Sequence, residues 1–180
     1  ERIGGVSDKR CLGANLTPAS IGHGPVCPVP CADEVMFDID DLASCSVCAA
    51  RALGDSALNA GHGTVPPFLP SPAPAGEQEK CQIAVAKAAR RLAEEWTRAL
   101  AKCEAANASG TNVPPADCSS DPDGEILTAI SRAESQIARC IDFSNLEGCA
   151  ATGDIAGAQA CVEAAIAAYA PGYTEIGYPW

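Results

Sequence analysis

The sequence predicts an all-α protein built on a disulfide-stapled helical hairpin at about 77–107 and 120–143. Alanine-rich helices at about 40–59 and 154–169 flank it, with a proline-rich linker and extended termini. Three observations carry this expectation. Cysteines stand at 81, 103, 118 and 140, so the intervals 81–103 and 118–140 are equal. Each interval is about six helical turns, roughly 33 Å. In an antiparallel pair, Cys103 then meets Cys118 at the closed end and Cys81 meets Cys140 at the open end. Apolar residues also recur at three- and four-residue steps through both intervals. Glycine and proline, 16 and 14 in all, crowd the remaining stretches, where they break regular structure.

In chain order, residues 1–30 read as irregular, with glycine at 4, 5, 13, 22 and 24 and proline at 18, 25, 28 and 30. The next helix is capped by Asp38 or Asp40 and carries a stripe of Leu42, Cys45, Cys48 or Ala49, Ala52 or Leu53, and Leu58. Gly61-His62-Gly63 ends it. Residues 64–76 hold five prolines and read as a polyproline-like spacer. The chain thus divides into 1–63, the linker 64–76 and 77–180.

The first hairpin helix aligns Cys81, Val85, Ala88, Leu92, Trp96, Ala99 or Leu100, and Cys103 on one face; the second aligns Ile126 or Leu127, Ile130, Ala133, Ile137 and Cys140 or Ile141. Ser120 or Asp121 suits the cap of the second helix, and Pro122 its first turn. Residues 145–153 form a turn containing Cys149. The last helix carries Cys161, and an extended end follows with Tyr173, Tyr178 and Trp180. Those three aromatics need a surface, either on their own chain or on a neighbouring subunit.

Eleven cysteines in 180 residues point to an oxidising compartment: secreted, extracellular or cell-surface. Beyond the two hairpin staples, Cys149 pairs with Cys161, and Cys27 and Cys31 pair with Cys45 and Cys48 in either order. Cys11 is left over, as a free thiol or a link to another chain. Each staple is worth roughly 3–4 kcal/mol on loop-closure arithmetic. A single methionine, Met36, and a start at Glu1 lead to the expectation that a signal peptide or longer precursor segment has been removed.

The net charge of −11 argues against nucleic acid and anionic lipid surfaces. No apolar run reaches the roughly 20 residues of a membrane span. Cys45-Ser-Val-Cys48 has redox or metal spacing, but lacks a following histidine, a βαβ setting and a second ligand pair. Asp33, Glu34, Asp38, Asp40 and Asp41 offer oxygen ligands without a calcium-loop pattern, and helix capping accounts for most of them. Asn15 and Asn107 open Asn-x-Ser/Thr triplets, the glycan acceptor pattern. No nucleophile, zinc or phosphate-loop motif is present. The expectation is therefore no enzyme, no cofactor and no metal.

A weak internal repeat aligns Lys9-Arg10-Cys11, Cys27, Asp38, Cys48 and Pro66 with Ala138-Arg139-Cys140, Cys149, Asp154, Cys161 and Pro179. The runs Lys80-Cys-Gln-Ile-Ala-Val-Ala-Lys-Ala-Ala89 and Ala99-Leu-Ala-Lys-Cys103, with Asp41-Leu42 and Cys45-Ser-Val-Cys48, resemble Cys-rich secreted repeat proteins of environmental bacteria. That resemblance implies a fold type and an extracellular setting, without a chemistry. The resulting expectation is a structural subunit of an extracellular filament, pilus-like appendage or surface layer, a homopolymer assembled head to tail through its termini. The alternative is a soluble secreted binding or adhesion module on the same scaffold.

Overall fold

A computed structural model describes residues 17–21, 23–33, 35–63, 76–144 and 146–177. Helix α1 spans Ile39–His62. Asp38 and Asp41 close its start as a capping box: the Asp38 carboxylate accepts from the Asp41 N–H at 2.9 Å, and the Asp41 carboxylate accepts from the Asp38 N–H at 3.1 Å. Two orphan donors of the first turn are thereby satisfied. Gly63, at φ 73°, ends α1 with its N–H on the Asn59 carbonyl.

Helix α2, Glu77–Ala108, is the axis of the molecule: 32 residues without glycine or proline, about 48 Å long. Its buried stripe of Cys81, Val85, Ala88, Leu92, Ala99, Leu100 and Cys103 meets every other helix. Helix α3, Glu125–Ile137, packs antiparallel to it, and the exposed Arg132 guanidinium reaches Glu95 at 3.1 Å.

The second arm of the hairpin is thus shorter than the predicted 120–143. Residues Cys118–Ser120 form a single 3-10 turn, and Asp121 adopts a left-handed φ of 52°. Gly124 is also left-handed, so α3 cannot start before it. The Asp121 carboxylate still caps α3, accepting from the N–H groups of Ile126 at 3.0 Å and Leu127 at 2.8 Å. After Ile137 the chain turns, and the Asp142 carboxylate accepts from the Ser144 N–H and hydroxyl. This local bonding competes with helix continuation. Cys118 and Cys140 consequently lie on the turns flanking α3, off its regular face.

Helix α4, Ile155–Ala167, starts at Asp154, whose carboxylate accepts from the Gly157 N–H at 2.7 Å. Helix α5, Ala170–Gly177, replaces the extended end expected from Ala170 onward. Pro171 stands in its first turn, where the missing N–H costs nothing. The Thr174 hydroxyl donates to the Ala170 carbonyl at 2.9 Å. Close packing of Gly172 on the Val29 carbonyl seats α5 on the turn at 28–30: a Cβ there would lie 2.7 Å from that oxygen.

Upstream of α1, the described residues hold a 3-10 turn at Pro18–Ile21 and an isolated antiparallel bridge between Val26 and Val35. Residues 1–16, the linker from 64 to 75 and residues 178–180 lie outside the described residues, and with them Cys11, Asn15, Tyr178 and Trp180.

The apolar interior falls into three clusters. The largest joins α1 (Leu53, Ala60), α2 (Val85, Leu92), α3 (Ile137) and α4 (Val162, Ile166). A second sits at the start of α1 around Met36 and Ala49. The third closes the far end of α2 around Leu100 and Ile126. Disulfides reach into each. Cys27 pairs with Cys45 and Cys31 with Cys48, at Cα separations of 5.7 and 6.1 Å, which resolves the order left open by the sequence. Cys81–Cys140, Cys103–Cys118 and Cys149–Cys161 stand at 4.8, 5.6 and 5.4 Å.

Candidate functional site

An apolar groove of about 740 Å³ runs between α1 and α2, with Tyr173 of α5 on its lining. It arises from small residues. At Gly61 the two long helices approach so closely that a Cβ would sit 2.7 Å from the Ala86 Cα. Along the rest of the crossing, Ala50, Gly54 and Ala57 face Ala86 and Ala93 across the gap and do not fill it. Leu58, Ile83 and Tyr173 stand on its walls at 61%, 41% and 39% exposure. Leu58 was expected in the α1 core stripe; it lies on the solvent side, because Leu53, Ala57 and Ala60 already take up the space against α2 and α4.

The groove rim carries polar and charged side chains. His62, Lys87 and Arg90 line it with Glu94, and only the Arg90–Glu94 pair closes, at 3.7 Å. Across α2, Lys87 and Arg91 continue into a shallow depression with Arg132 and Arg139, where Glu95 engages Arg132. Among the described residues Lys87, Arg91 and Arg139 have no carboxylate within ion-pair distance. A protein of net charge −11 therefore gathers much of its positive charge along α2.

A second exposed apolar surface stands at the start of α1. Phe37 is 77% exposed, and the bridged pair Val26 and Val35 just before it is 45% exposed at each residue. Asp33 and Asp40, within four positions of Phe37 in sequence, are exposed, while Asp38 and Asp41 are occupied by the capping box. No Lys or Arg occurs from residue 23 to residue 50.

The other predicted positions are structural in their bonding. Cys45 and Cys48 are each bridged to a different partner and form no free dithiol. No group of three or more His, Cys, Asp or Glu is spaced to hold a metal among the described residues. The Asn107 carboxamide closes the loop after α2: its Nδ2 donates to the Ala116 carbonyl at 2.9 Å, and its Oδ1 accepts from the Ala116 N–H at 2.9 Å. A glycan on that nitrogen would displace the first of these bonds. Partial burial lowers the pKa of His23. Hydrogen bonds from the Ser119 hydroxyl and N–H hold Asp117 below the ordinary aspartate value, and those from Ser144 do the same for Asp142, with a smaller share from Gln78.

Sequence reasoning missed Gln82. Its amide donates to the carbonyls of Gly61 and Glu147, and its oxygen accepts from the Glu147 N–H at 3.0 Å. It ties α1, α2 and the loop before the 3-10 turn Gly148–Thr152 into one unit beneath the groove. Gly148, at φ 61°, lets this loop pass: a Cβ would lie 2.6 Å from the Asn59 carbonyl. Ile83 was also missed, although an isoleucine off the buried stripe of a long helix is itself the signal of a surface that expects a partner.

No family model, curated protein or solved structure matches the chain.

Proposed function

We propose that this chain is a structural subunit of an extracellular assembly — a filament, pilus-like appendage or surface layer — built from copies of itself. The observation that carries the reading is the pairing of a heavily stapled helical body with two separate exposed apolar surfaces, one with the unpaired cation Lys87 on its rim and one flanked in sequence by the exposed carboxylates Asp33 and Asp40. Five disulfides suit an oxidising space, and among the described residues no helix is long and apolar enough to cross a membrane. The likeness of the 80–89 and 99–103 runs to Cys-rich secreted repeat proteins of environmental bacteria supports the same setting. Assembly uses no catalysis, cofactor, nucleic acid or membrane span.

Of the termini expected to make the contact, residues 1–16 and 178–180 lie outside the described residues. Helix α5 packs on its own α1 and α2 and buries Ala170 and Thr174. Tyr173 is left on the groove wall, within an interaction surface. Immunogold electron microscopy of native extracellular material tests the proposal: label along fibres or sheets supports it, and label confined to dispersed single particles overturns it.

The folded-back α5 and the concave groove also favour a second reading, a soluble secreted binding or adhesion module. In that case purified chain stays monomeric and saturably binds an extracellular ligand, and the Leu58→Glu variant loses that binding.

A further inference from the structure

We propose that the Phe37 end of one copy docks in the α1–α2 groove of the next, making an open head-to-tail contact. This rests on the subunit reading and specifies its interface. Both surfaces are apolar and exposed, which in an aromatic-poor chain calls for a partner. Phe37 is the most exposed aromatic ring among the described residues, and it follows by two positions Val35, which is bridged to Val26 and, like it, 45% exposed. The groove supplies the converse, a trough of about 740 Å³ walled by Leu58, Ile83 and Tyr173.

The charges match as well. Asp33 and Asp40 flank the Phe37 end, in a stretch without Lys or Arg. On the groove rim Arg90 is paired with Glu94 and Lys87 is unpaired among the described residues, which leaves one positive charge in excess. Like charges would meet if two grooves or two Phe37 ends faced each other, so complementarity selects groove against end. One chain cannot satisfy itself, because the start of α1 and Leu58 are separated by about 29 Å of continuous helix. The contact is therefore heterologous, and such contacts propagate as filaments when the rotation does not close.

The test uses the full chain in oxidised form. Sedimentation and light scattering follow mass from about 10 μM to about 1 mM, the range in which weak encounters become populated. Two variants each disable one side: Phe37→Glu and Leu58→Glu, both at exposed positions, with unchanged circular dichroism as the folding control. Wild type is expected to gain mass continuously with concentration, and added salt to weaken it. Each variant alone is expected to stay monomeric. An equimolar mixture of the two should form heterodimers and stop, since Phe37→Glu keeps its groove and Leu58→Glu keeps its Phe37 end. Wild type that assembles while both variants assemble equally overturns this contact and leaves the subunit reading standing. Wild type that stops at a closed dimer overturns the open geometry. Wild type that remains monomeric throughout, with no fibres by electron microscopy, overturns the contact and the subunit reading together.

Discussion

At the residue scale, the groove depends on three side-chain choices beneath it. Gln82 makes three hydrogen bonds to backbone groups of two other segments. Gln82→Leu leaves those groups without partners, and the expected loss is about 1–3 kcal/mol, read from urea denaturation midpoints. Gly61→Ala drives a methyl into the Ala86 backbone, an overpacking that costs about 1–3 kcal/mol. Gly148→Ala adds left-handed strain to a backbone clash, so it is expected to be the worst of the three by the same measurement. The carboxylates Asp117 and Asp142 supply a pH dependence. Their folded pKa values are lowered, so their contribution is complete above the unfolded aspartate value near pH 4. It is lost as pH falls through the lower folded values. Thermal melts below about pH 4 should therefore lose less stability in the Asp117→Asn, Asp142→Asn double variant than in wild type.

At the scale of elements, the sequence was legible wherever periodicity and cysteine spacing spoke together. The long helix α2, the Asp38 start of α1 and the Asp154 start of α4 follow from stripe and cap residues that the structure uses as such. The 118–140 interval is more instructive. It was read as six turns of helix, yet only Glu125–Ile137 is α-helical. The two staples still form because antiparallel packing on α2 brings the flanking turns to the same two places. Asp121 explains the difference: its carboxylate caps α3 from a left-handed residue four positions before the first helical one, a geometry that periodicity does not encode. Asp121→Ala is expected to lose about 0.5–2 kcal/mol and to speed amide exchange at Ile126 and Leu127. Helix α5 was hidden by Pro171 and Gly172, which read as breakers in sequence but serve as a first-turn residue and a close-packing site. The groove was largely illegible, because it is made by what small residues fail to fill. Only Ile83, out of register with the stripe, marked it.

Across the whole molecule, aromatic residues are few and the interior is split into three clusters, so covalent links carry a large share of the stability. Loop-closure arithmetic ranks them. The 59-residue Cys81–Cys140 loop is worth about 4 kcal/mol, and the 12-residue Cys149–Cys161 loop about 3 kcal/mol. Replacing Cys81 and Cys140 together by serine should lower stability more than replacing Cys149 and Cys161, as measured by chemical denaturation without reductant. Full reduction should abolish the cooperative transition altogether.

The placement of these bridges has a mechanical consequence. A pull entering the chain near Cys27 passes through sulfur to Cys45, and one entering at Cys81 passes directly to Cys140. The stretch between the latter pair, a sequence separation of 59 and roughly 200 Å if drawn out straight, is withdrawn from stretching while the bridge holds. In a strand of subunits assembled as proposed, a load would spare α3 and nearly all of α2 and fall on the stretch from Cys48 to Cys81, which none of these bridges spans.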